Sequence, residues 1–162
     1  MPGLSRLGLP LSHPAALIAT GFGIGVLPKA PGTWASLAAL PVGWLIQTWF
    51  GIAGLLIAAA VSFVAGCWAA ARVAEASGTF DPGFVVIDEI AAQLLVLAAA
   101  PRDWRFYLAA FLLFRLFDIW KPPPVGWLDR AVKGGFGIML DDIAAALYAL
   151  ILIAIVRGLT GV

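Results

Sequence analysis

The chain has little of what soluble enzymes use for polar chemistry. Of its 162 residues, 12% are charged, one is histidine and one is cysteine. A lone cysteine excludes an internal disulfide. Cys67 stands among Ala, Val and Trp, a setting that disfavours the thiolate a cysteine phosphatase requires. His13, the single histidine, excludes any mechanism that divides nucleophile and acid between two histidines. No Asp-x-Asp-x-Thr run is present for aspartyl-phosphate chemistry of the haloacid dehalogenase kind. Lys and Arg form no cluster and the net charge is +1, so no basic field is available for nucleic acid.

What is abundant is apolar surface. The chain is 62% hydrophobic, against about 45–50% for an ordinary soluble domain. Such a chain cannot cover its own exterior with polar groups, so lipid must do it. The expected fold class is all-α: a polytopic membrane helical bundle, one domain over residues 1–162. Met1 to Pro14 offers no well-formed signal peptide, and Ala15–Leu27 is interrupted by Gly21, Gly23 and Gly25. Pro14–Leu27 reads as a short re-entrant or interfacial helix.

Five segments are near the length of about 20 residues that crosses ~30 Å of hydrocarbon. They are Trp34–Phe50, Ile52–Arg72, Phe84–Ala100, Trp104–Trp120 and Asp141–Arg157. Phe50-Gly51 predicts a tight turn that makes a hairpin of the first two. Pro101-Arg-Asp103 predicts a second short turn, and Lys121–Leu140 a long polar connection broken by Pro122-Pro-Pro124 and Gly134-Gly135. Counting crossings puts Arg6, Lys29, Arg72, Lys121, Arg130 and Lys133 on one face and Arg102, Arg105 and Arg157 on the other. The excess marks the first face as cytoplasmic.

The acids gather on that face too. Asp88 and Glu89 sit at the entry to the third segment, Arg115, Asp118 and Lys121 at the end of the fourth, and Asp141 and Asp142 at the start of the fifth. Each has a plain alternative. The acidic pairs could serve only the positive ends of helix dipoles. Arg115 and Asp118, three apart, could be an internal ion pair. Lys121 could only snorkel, and Asp81-Pro-Gly83 is an ordinary turn. These alternatives do not explain why all of them recur on one side. Carboxylates drawn together there repel one another and call for a hard cation, for which Mg²⁺ is the best fit among oxygen-ligated ions. Near the N-terminus, Gly21 to Ser36 combines glycines, Lys29, Thr33 and Ser36 in what reads as an anion cradle before a helix start. It lacks the Gly-Lys-Ser/Thr of a P-loop. Acids at a membrane boundary would also suit a small ion or solute transporter, although transporters place them near the midplane and in repeats. A non-catalytic scaffold would leave the polar cluster without a purpose.

Three blocks occur in order: Leu27-Pro-Lys-Ala-Pro-Gly-Thr33 with Ser36, then Val86-Ile-Asp-Glu-Ile90, then Phe114-Arg-Leu-Phe-Asp-Ile-Trp-Lys-Pro122 through Gly134-Gly-Phe-Gly-Ile-Met-Leu-Asp-Asp142. Together they resemble the phosphatidylglycerophosphatase A family of bacterial inner-membrane enzymes. The resemblance covers residues 21 to about 146. It implies Mg²⁺-dependent hydrolysis of phosphatidylglycerophosphate to phosphatidylglycerol and inorganic phosphate on the cytoplasmic side. On that reading Asp88, Glu89, Asp118, Asp141 and Asp142 hold the metal and carry catalysis, while Lys29, Thr33, Arg115 and Lys121 contact the substrate phosphate. Ala35, Ala92 and Ala146 occupy or adjoin places where the family pattern leads one to expect glycine.

Overall fold

Helix is the only regular structure among the residues described, Leu7–Gly161, in this computed structural model. Arg6, one of the charges used for sidedness, lies outside them. The order is α1 (Pro14–Ala19), a 3-10 turn (Ile24–Val26), α2 (Pro31–Ser77), α3 (Ile87–Leu97), α4 (Trp104–Trp120), α5 (Val125–Ala131) and α6 (Gly134–Thr160).

The hairpin expected at Phe50-Gly51 is present inside α2. Gly51 has φ 64° and ψ −160°, a conformation open to glycine and hardly to any other residue. The chain reverses there. A Cβ placed on Gly43 would stand 3.6 Å from the Leu55 side chain, and one on Gly54 would stand 3.1 Å from Ile46. A continuous helix would hold those pairs roughly 18 and 12 Å apart. α2 is therefore two antiparallel arms, 31–50 and 52–77.

Two helices, Pro31–Ser77 and Gly134–Thr160, are long and apolar enough to cross a membrane. Their outward faces carry large apolar side chains, with Leu45, Ile57, Val61, Val64, Leu112 of α4 and Ile155 all more than half exposed. α3 differs from expectation. Its 11 residues reach only ~16 Å, and turns replace helix from Ala98 to Ala100. It packs on α2 and α6, and its alanines Ala91 and Ala92 are fully enclosed. The core is built largely from such small residues, which let helix backbones approach closely. Ala35, Ala92 and Ala146 all lie in it with no exposure.

Two boundaries also move. Gly134-Gly135, expected to break helix, instead begins α6, so the helix starts seven residues before Asp141. The two aspartates lie on its third turn rather than at its end, and helix-end capping no longer accounts for them. At the other terminus of the chain, α2 begins at Pro31 after a left-handed Ala30 with no side-chain cap. Thr33 falls within the first turn, and Ser36 donates to the Gly32 carbonyl at 2.9 Å instead of capping. Proline at the first helical position needs no donor there and supplies the required φ.

Candidate active site

The first arm of α2 and α3 run in the same direction, since Gly32 lies beside Glu89 while Gly43 lies beside Leu97. Both begin at the end of the bundle where α4 finishes, and the third turn of α6 comes to the same level. Asp88, Glu89 and Asp142 thereby place one carboxylate oxygen each within 4.8 Å of one another. Asp142 is also in electrostatic contact with Asp118 and Asp141.

Two cations tie this group together. Arg115 lies 2.6 Å from Asp118 and 3.7 Å from Glu89, so the i, i+3 pair read from sequence exists and reaches a further helix. Lys121 lies 2.7 Å from Asp141 and 3.0 Å from Asp129. Burial alone would lower the Lys121 pKa, but the two carboxylates outweigh it and hold the ammonium above the usual lysine range. Asp81 joins the edge of the network. Enclosure by protein raises its carboxyl above the ordinary range, Lys121 draws it down, and Asp129 and Asp118 push it up.

The expected residues divide into two groups. Asp88, Glu89, Asp118, Asp141, Asp142, Arg115 and Lys121 come together. Lys29 is exposed in the loop before α2, with no ion pair among the described residues, and Thr33 donates to no neighbour there. The N-terminal block does reach the site, but through Gly32. A Cβ at Gly32 would overlap the Glu89 carboxylate and stand 3.4 Å from Arg115 Nη1. Sequence reasoning took this stretch for a loop cradle and missed that contact. The proline before Gly32 was the available signal, because it marks the helix start. Asp129 and Gln93 were also missed. Gln93, one turn after Glu89, is fully buried with neither amide atom bonded.

The donor set is chemically suited to a hard divalent cation. It consists of carboxylate oxygens without cysteine or histidine, and Glu89 Oε2 and Asp142 Oδ2 are buried without a hydrogen-bond donor. A buried carboxylate oxygen left bare is costly, and a cation removes that cost. Fold and site together define an all-helical protein whose buried acids lie at one end of an apolar bundle, a donor set fit for a divalent cation. The family description of phosphatidylglycerophosphatase A matches residues 17–157, and the chain belongs to that family.

The relatives agree. A phosphatidylglycerophosphatase A of Haemophilus influenzae is 42% identical over 146 residues, 90% of each chain. Its namesake in Escherichia coli K12 is 39% identical over 143 residues, 88% of this chain and 83% of the other. A Bacteroides thetaiotaomicron protein, provisionally named a phosphatidylinositol-3-phosphatase, is 41% identical over 152 residues, 90% and 94% of the two chains. No solved structure matches. This chain is a phosphoric monoester hydrolase of phosphatidylglycerol synthesis, and the transporter and scaffold readings are set aside.

Proposed function

We propose that the Asp88–Glu89–Asp142 cluster performs the family reaction, removal of phosphate from phosphatidylglycerophosphate to leave phosphatidylglycerol, at the cytoplasmic membrane face. The observation that carries this is the meeting of three carboxylates from two helices, with two oxygens lacking donors. Those residues would hold Mg²⁺, with Asp118 beside Asp142. The bound ion would supply positive charge and Lewis acidity to the phosphoryl oxygens.

The remaining work falls to the chain's own groups. Arg115 is engaged by Asp118 and Glu89 and fixes both carboxylates. Asp141 holds Lys121, whose ammonium faces the phosphate. Lys29, exposed and without an ion pair among the described residues, adds a positive charge, and Thr33 a hydroxyl. Asp142 accepts a proton from the attacking water as that oxygen bonds to phosphorus. The ester P–O bond breaks, and the departing glycerol oxygen takes up a proton. The acyl chains stay in lipid beside the apolar helices. The five segments read from sequence are taken to lie in the bilayer, with the 11-residue α3 too short to cross as helix alone and shielded from lipid by its neighbours.

The test is phosphate release by the purified full chain from micelles of the lipid. Chelation with EDTA is expected to stop it and Mg²⁺ to restore it. Activity that survives thorough chelation removes the metal. Asp142→Asn is expected to lose about a hundredfold or more while still inserting and folding. Near-normal turnover would take Asp142 out of the site. A parallel assay with phosphatidylinositol-3-phosphate measures how far the site reads the head group beyond its phosphate.

A further inference from the structure

Lys121 is held more elaborately than a surface lysine requires. It ends α4 in the left-handed conformation, φ 48°, which is unfavourable for a non-glycine residue. Three prolines follow, and α5 returns beneath it. Gly126 is buried there, and a Cβ on it would come 2.9 Å from the Lys121 carbonyl oxygen. That close return carries Asp129, three residues on, to 3.0 Å from Lys121 Nζ, while Asp141 approaches the same nitrogen from α6 at 2.7 Å.

An ammonium has three N–H donors. Asp141 accepts from one, and the Asp129 carboxylate, on a separate helix, pairs with the same nitrogen at 3.0 Å. A lysine with one partner rotates about that contact, whereas two fixed acceptors set the direction of the third N–H. Ordering a free lysine side chain costs rotamer entropy, and a clamp present before substrate arrives offsets that cost. Charge alone argues the other way. A further carboxylate beside the site repels a phosphate, so a site built only for attraction would lack it.

We propose that Asp129 is a positioning residue: together with Asp141 it aims the Lys121 ammonium at the phosphoryl oxygens of the substrate. The inference rests on the reading of Lys121 as a phosphate contact. The competing account is that Asp129 only ties α5 to α4. In that case its loss lowers stability and leaves substrate affinity alone.

The experiment measures kcat, KM and the thermal unfolding midpoint of the full chain in Mg²⁺-containing micelles of phosphatidylglycerophosphate. Asp129→Ala is expected to raise KM about tenfold with kcat within about twofold, the loss typical of a contact to a charged group. Asp129→Glu is expected to recover most of it, and Asp129→Asn, which keeps an acceptor, to raise KM less. On a Lys121→Ala background, Asp129→Ala is expected to add nothing, since the residue it positions is gone. The proposal is overturned if either neutral variant lowers KM, if KM does not move, or if the same rise appears without Lys121. If Lys121→Ala alone leaves KM unchanged, the phosphate-contact reading falls and takes this inference with it. If Lys121→Ala raises KM while the Asp129 variants do not, only the inference falls.

Discussion

The two ends of the bundle treat their polar groups in opposite ways. At the end remote from the acids, Gln47 donates to the Ala100 carbonyl at 3.0 Å and accepts from the Tyr107 hydroxyl at 2.8 Å. Trp44 packs edge-on against Tyr107, ring centroids 5.2 Å apart. Both amide atoms of that glutamine are used. At the acid end, Glu89 Oε2 and Asp142 Oδ2 have no donor among the described residues, and one turn below them the Gln93 amide has no partner there either. A closed polar network adds rigidity, whereas an open one forfeits stability. Stability lost at one end and retained at the other separates a site from a fastening.

The strongest way to break this comparison is Gly32→Ala. Its Cβ would displace the Glu89 carboxylate, which Arg115 engages. Turnover is expected to fall about a hundredfold, the penalty for shifting a reacting group by an ångström, with the unfolding midpoint little changed. Normal turnover would show that Glu89 need not stand where it does.

Tyr107→Phe probes the other end. It leaves Gln47 Oε1 without its donor and is expected to cost about 1 kcal/mol in stability, read as a lower thermal midpoint in detergent. The kcat of the folded protein should stay at the parent value. A fall in kcat without a fall in stability would erase the distinction between the ends.

The smallest effect is expected at Gln93→Leu. Replacing an unpaired buried amide by an apolar group of similar size should leave stability equal or raise it by up to about 1 kcal/mol. A loss as large as that of Tyr107→Phe would mean that the Gln93 amide is bonded in the working protein.

Much of this arrangement was legible in the sequence. Apolar excess and helix-length runs identified the all-helical class, and Phe50-Gly51 identified the hairpin. Asp88-Glu89, Arg115, Asp118 and Lys121, and Asp141-Asp142 fell at segment ends that the count of crossings put on one side, seven polar residues of the site in all. Those signals are local, because they depend on composition, on glycine at a reversal and on helical spacing. The start of α6 was missed because Gly134-Gly135 has breaker composition, although glycine is equally able to begin a helix. The shortness of α3 was missed because Phe84–Ala100 is apolar apart from Asp88, Glu89 and Gln93, and hydropathy cannot tell a buried core helix from a lipid-facing one.

What the sequence determined alone was the kind of molecule, its blocks of chemistry and the end at which they lie, because each follows from residues near one another in the chain. Which carboxylates share a centre, that Glu89 fills the space beside Gly32, and that Asp129 reaches Lys121 were decided only by tertiary packing. Those contacts join separate helices, most of them dozens of residues apart, and their ångström-scale distances are set by small-residue packing that no local pattern encodes.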